Sequence, residues 1–252
     1  MMTKFLRGLF VLSLAIACPV LIQGEATAAI SCSSLTSAAS TTDATSYDTA
    51  SITPTANVLQ LLAVTSRTAT ADIVVPTVTG NSLTWVEVNK VPVSGNNRSV
   101  TVFRSMGASP TTGVATIDFG AQTQTSAIWS VIECSGVDTS GTNGSGAIVQ
   151  SDPEDAGGAG TSYSNSLAAF GSSSNAGYGA VMHLANEATT PGTDWTELDD
   201  DATAENTYAF QTQWKINDNV VTASWASSVF YQDVVVEIKA ASAATRRIVV
   251  TT

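Results

Sequence analysis

Cys134 lies in "IWSVIECSGVDTSG" (128–141), directly after Glu133 and before a Ser-Gly turn. A thiol becomes a nucleophile when a nearby histidine lowers its pKa and carries its proton. The chain holds one histidine, His183 in "AVMHLAN". No local signature joins it to Cys134, and no Gly-x-Ser-x-Gly elbow leads from a strand into a helix. His183 reads as a residue on a sheet face, and Cys134 as a strand residue awaiting a partner.

Paired carboxylates are the next chemistry to weigh. Sandwich glycosidases set two acids about 5–9 Å apart on one sheet. Glu133 in "SVIEC" and Glu237 in "VVVEI" occupy similar contexts, and Glu87 and Asp118 are further strand acids. No compact acidic strand motif accompanies them, so each reads first as a solvent-facing acid on an alternating strand. "DPED" (152–155) and "DDDATAEN" (199–206) read as oxygen-rich loops that could take calcium. Neither has EF-hand spacing. Five tryptophans could stack on sugars. Trp85, Trp129, Trp214 and Trp225 fall inside strand patterns, where core packing is the default. Trp195 is the least committed. No catalytic, cofactor-binding or metal-ligating residue is assigned.

The elements that would position these groups follow from the rest of the chain. Lys4 and Arg7 precede an apolar run over 8–22, and Ala26-Thr27-Ala28 offers a small-x-small cleavage site. That order is a secretory signal peptide over 1–28, with no other run suited to spanning a bilayer. Lipid attachment at Cys18 is the minor alternative. Cleavage removes Lys4, Arg7 and Glu25, so the net charge moves from −11 to −12. Such acidity excludes sequence-blind nucleic-acid binding and docking on anionic lipid. With Cys18 gone, Cys32 and Cys134 remain in an oxidising compartment, where one disulfide between them is expected. The sequons at Asn97 and Asn143 matter only in a host that glycosylates.

Charged residues are 12% and hydrophobic residues 44%. Helix formers are scarce, and the chain is too apolar for a disordered tail. Short β runs recur, such as 58–66, 72–78, 83–89, 99–106, 113–120 and 126–134. Turn residues separate them, which predicts an all-β sandwich or barrel. The Gly/Ser-rich stretch 135–177 reads as a crossover whose apolar islands "AIV" and "LAAF" are strands.

The second half repeats the first loosely. "LQLLAVTSR" (59–67) resembles "GAVMHLANE" (179–187), and "LTWVEV" (83–88) resembles "TDWTEL" (193–198). "TVFRS" (101–105) resembles "TQWKI" (212–216), and "VATIDFG" (114–120) resembles "VVTASWA" (220–226). "SVIEC" (130–134) resembles "VVVEI" (234–238). These matches pair Trp85 with Trp195, Phe103 with Trp214, and Phe119 with Trp225. The expected fold is a jelly-roll-like antiparallel β-sandwich built from two similar halves, each contributing comparable strands to both sheets. It would have a 29–56 arm or first strand, a 57–241 sandwich and a β-prone tail at 242–252.

The run from "ANVLQLLAV" through "LTWVEV", "SVTVFRSM" and "ATIDFG" to "WSVIECSGVD", with a second set ending "VVVEIKAA", resembles bacterial and phage-encoded β-sandwich proteins of jelly-roll, concanavalin-A-like type. The resemblance covers about 57–241. That family often opens its first strand with Gly-Asp, where this chain has Ala56-Asn57. The resemblance implies a surface or particle-associated structural or binding module and no catalytic residues. The expected function is thus a non-enzymatic secreted structural or surface-interaction protein, with a phage origin open. A carbohydrate-binding module and a sandwich-fold glycan-active enzyme are the alternatives. Expected partners are a glycan or surface and a second copy of the chain, the latter through tail-strand exchange if the tail does not close its own sheet.

Overall fold

The computed structural model describes residues 28–203 and 207–242. Of the signal peptide expected over 1–28, positions 1–27 lie outside these residues, as do positions 243–252 of the tail expected over 242–252. The described residues hold sixteen strands, one 3-10 turn (Ser145–Ala147) and no α-helix.

The first eight strands are β1 (Ser31–Ser40), β2 (Ser46–Asp48), β3 (Leu59–Arg67), β4 (Thr77–Gly80), β5 (Val86–Lys90), β6 (Arg98–Ser105), β7 (Ala115–Asp118) and β8 (Ser126–Ser135). The second eight are β9 (Ile148–Asp155), β10 (Gly160–Ser166), β11 (Ala176–His183), β12 (Thr190–Pro191), β13 (Thr196–Thr203), β14 (Tyr208–Ile216), β15 (Val220–Val229) and β16 (Tyr231–Ile238). All ladders are antiparallel.

The first half forms a sheet β1-β8-β3-β6-β5 and a smaller sheet β2-β7-β4. The second forms β9-β16-β11-β14-β13 and β10-β15-β12. Strand n of the first half matches strand n+8 of the second throughout. Each half is an antiparallel sandwich with jelly-roll strand order, its fifth strand added to the edge of the larger sheet. The expected two-part sandwich is thus present, but each part is a complete eight-stranded unit rather than half of a shared pair of sheets.

The stacking explains the sequence patterns. The two five-stranded sheets face each other across a central core. Each has its own three-stranded sheet on the far side, over a second core. The large sheets are therefore covered on both faces, and their inner strands read as continuous apolar runs. On β3, Leu59, Leu61 and Ala63 enter the central core. Leu62 and Val64 enter the outer core. β1 packs against β13 and β9 against β5, equivalent contacts related by a pseudo-two-fold.

Matching bulges fix the register between halves. The β5–β6 ladder slips after Glu87↔Phe103, and the β13–β14 ladder slips after Glu197↔Gln213. Val88 and Leu198 are the extra residues, and both pack on the central core. Trp85 therefore matches Trp195, as the sequence repeat predicts, and the same frame matches Phe119 with Trp225. Phe103 matches Gln213, not Trp214. The strand 59–67 matches a stretch beginning at Ala176, three residues before the expected 179. A slip of one residue reverses the face: Phe103 lies in the first outer core, while Trp214 packs on the central one.

Candidate functional site

Glu133 and Glu237 occupy equivalent positions on β8 and β16. Alternation along each strand turns them away from the central core. Val131, two residues before Glu133, lies in the first outer core; Val235, two before Glu237, lies in the second. Both sheets and the core between them thus separate the two carboxylates, and no concave face holds both. Glu133 accepts hydrogen bonds from the Thr55 backbone N–H at 3.0 Å and hydroxyl at 3.1 Å. Glu237 is 1% exposed. It accepts from Gln150 Nε2 and Asn175 Nδ2, each at 2.6 Å. Both acids tie loops to strands. Glu87 pairs with Lys90 on the surface at 2.6 Å, and Asp118 accepts from the Gly120 N–H at 2.8 Å.

His183 ends β11 inside the second outer core. Its ring stacks on Trp225 with centroids 4.6 Å apart and planes 15° apart. Nε2 lies 3.0 Å from Thr189 Oγ1. A hydroxyl beside an imidazole has the outline of a nucleophile and its base. The third member is missing: Nδ1 has no hydrogen-bond partner among the described residues. Thr189 is 3% exposed and His183 0%, so no substrate reaches the pair. Burial pulls the imidazole down to about 4, opposed weakly by the Glu187 charge. It is neutral at pH 7 and packs as an aromatic ring.

Of the two acid-rich runs expected as loops, 152–155 and 199–203 are edge strands, and 204–206 lie outside the described residues. "DPED" ends β9 and "DDDAT" ends β13. Side chains alternate along a strand, so consecutive acids point to opposite faces and cannot converge on one ion. Asp199 turns to the first half and accepts from Ser34 Oγ at 2.7 Å and Ser130 Oγ at 2.6 Å. Asp200 turns the other way and accepts from the Thr189 N–H at 3.0 Å. Burial raises both carboxyls above their ordinary range. Among the described residues, no group of three His, Cys, Asp or Glu side chains is arranged to hold a metal.

The tryptophans are packed rather than displayed. Trp129, Trp195 and Trp225 are buried. Trp85 and Trp214 are half-buried against the first outer and central cores. Cys32 and Cys134 form the expected disulfide between directly opposed residues of β1 and β8. The "SGV" turn follows. Gly136 has φ 72°, and a Cβ there would run into the backbone of Ala29, so glycine is required twice over.

No family model matches the chain, and no curated protein or solved structure matches it. Among the described residues no helix is long and apolar enough to cross a membrane.

One unusual group escaped the reading of the residues. Asp233 in "YQDVVVEI" is 0% exposed, yet lies in the second outer core. Oδ1 accepts from Asn165 Nδ2 at 2.9 Å. Oδ2 has no hydrogen-bond partner among the described residues. Burial chiefly, then the Glu154 and Asp152 charges, push the carboxyl up to about 8 against the pull of Asn165. The internal repeat carried the signal: Asp233 stands where the first half has Trp129.

Proposed function

We propose that the chain is a non-enzymatic, secreted structural or surface-interaction protein. The observation that carries this reading is the use of its equivalent glutamates. Glu133 and Glu237 face opposite outer layers; loop residue Thr55 holds the first, and Gln150 of β9 with loop residue Asn175 holds the second. The acids and aromatics that could have served chemistry instead fasten loops and fill cores. Jelly rolls recur in capsid, lectin and cupin domains, so the architecture suits assembly or surface display without fixing either. Export rests on the basic-apolar-small order of residues 1–28, and the disulfide suits an oxidising compartment.

The test uses the chain expressed with its leader and collected from the exported fraction. Light scattering over a hundredfold concentration range, with electron microscopy, reads assembly. A glycan array and a polysaccharide hydrolysis screen run in parallel. The reading expects a flat array, no hydrolysis and either a defined oligomer or binding to a cell or particle surface. Selective glycan signal would replace it with the carbohydrate-binding alternative. Hydrolysis abolished by Glu133→Gln would replace it with the enzymatic one.

A further inference from the structure

The two halves supply an internal comparison at Asp233. In the first half, Trp129 on β8 opposes Ala38 on edge strand β1. In the second half the same place holds Asp233 on β16, opposed by Glu154 on edge strand β9. An apolar pair has become two acids facing each other across a ladder. Like charges directly opposed on a sheet destabilise it. Both side chains share the face that carries Val235, toward the second outer core.

The surroundings offer little to offset two negative charges. From β9 come Glu154 and, two residues earlier on the same face, Asp152 opposite Val235. From β16 comes Tyr231, whose hydroxyl burial and the Glu154 and Asp233 charges raise. From β10 come Tyr163, raised by burial and by Asp233, and Asn165. β11 puts Val181 directly opposite Asp233, with neutral His183 two residues on. β15 contributes Trp225 beyond the tyrosines. The charges acting on Asp233 are both acids. A proton relieves such a pair, because two close carboxylates cannot both ionise cheaply.

We propose that Asp233 and Glu154 form a proton-dependent clasp: one retained proton keeps edge strand β9 seated on β16, and its loss in alkaline solution frees that edge. Release would uncover the β16 edge of the remaining four strands, a surface able to pair with another strand. The first half has no counterpart, so its edge strand β1 is the built-in control. β1 is also held by the disulfide, which pH alone leaves intact.

Hydrogen exchange with mass spectrometry on the intact protein tests this, at pH 6.5 and pH 9.5 with labelling times matched for intrinsic exchange. The expected result is at least a tenfold loss of protection in peptides covering 148–155, with 36–40 unchanged. Asp233→Asn places a neutral amide where the acid was and should abolish the loss. Glu154→Gln, on the more exposed strand, should reduce it and serves if the first variant fails to fold. Unchanged protection of 148–155 at pH 9.5 in the wild type would overturn the clasp. So would an equal loss in wild type and in the folded variants.

Discussion

Cys32 opposes Cys134 where β1 meets β8, and Ile148 opposes Ile238 where β9 meets β16. These pairs are equivalents in the two halves. One half closes its edge strand covalently and the other by packing, both at the margin of the central core. The disulfide spans a sequence separation of 102. In the chain-entropy model a loop of that size stabilises by up to roughly 4–5 kcal/mol, and engineered losses are commonly about 2–4.

The first prediction concerns that bond. Replacing both cysteines by alanine removes the cross-link and some core volume. Unfolding free energy from denaturant melts should fall by about 2–4 kcal/mol or more. The Cys32→Val/Cys134→Val double variant fills the space as the second half does and should lose less. Equal losses in the two double variants would mean that packing at this site contributes little.

The equivalent glutamates should respond unequally. Glu237 is buried between Gln150 and Asn175, so Glu237→Ala strands two amide donors and should cost about 2–3 kcal/mol. Glu133 is half-buried at a loop, and Glu133→Ala should cost about 1 kcal/mol. Parallel urea melts compare them. A catalytic pair would show the reverse priority, with activity lost before stability.

Asp199 gives a prediction about how the halves hold together. It reaches from β13 to Ser34 and Ser130 of the first half, and Ser130 lies 3.1 Å from Thr212. Asp199→Ala should leave two hydroxyls facing a gap between the sheets and cost about 1–3 kcal/mol. Asp199→Asn keeps an acceptor and should cost less. Calorimetry of both variants reads the difference.

Strand content, the two-part plan and the disulfide were legible because each rests on local pattern. Alternation, turn residues and cysteine count need no knowledge of neighbours. Trp85 and Trp195 announced the repeat because bulky aromatics at one place in a strand are hard to replace. Register was less legible. Phe103 and Trp214 look alike in sequence, yet bulges at Val88 and Leu198 show them to be one residue out of step. The acidic edge strands read as loops because an edge strand with solvent on one side tolerates the composition of a turn. Asp233 was hidden by its apolar neighbours, which mark a buried strand whatever sits among them.

The last prediction is a pH profile with two opposed slopes. His183 is held down to about 4 by burial, whereas an unfolded histidine titrates near 6.5. Between those values the unfolded chain binds the extra proton, so stability contributed here rises with pH and is lost as pH falls from 6.5 to 4. The loss is at most roughly 3 kcal/mol by that linkage. Asp233 is raised to about 8 against an ordinary value of 3.8. Between those values the folded chain holds the extra proton, so its contribution falls as pH rises from about 4 to 8. The two slopes oppose each other from 4 to 6.5, and the Asp233 slope continues alone to 8. Stability of His183→Gln, subtracted from that of the wild type at each pH, should isolate a rising limb between 4 and 6.5. The same subtraction for Asp233→Asn should isolate a falling limb from 4 to 8. Flat differences in both cases would mean that neither buried group changes its proton occupancy on folding.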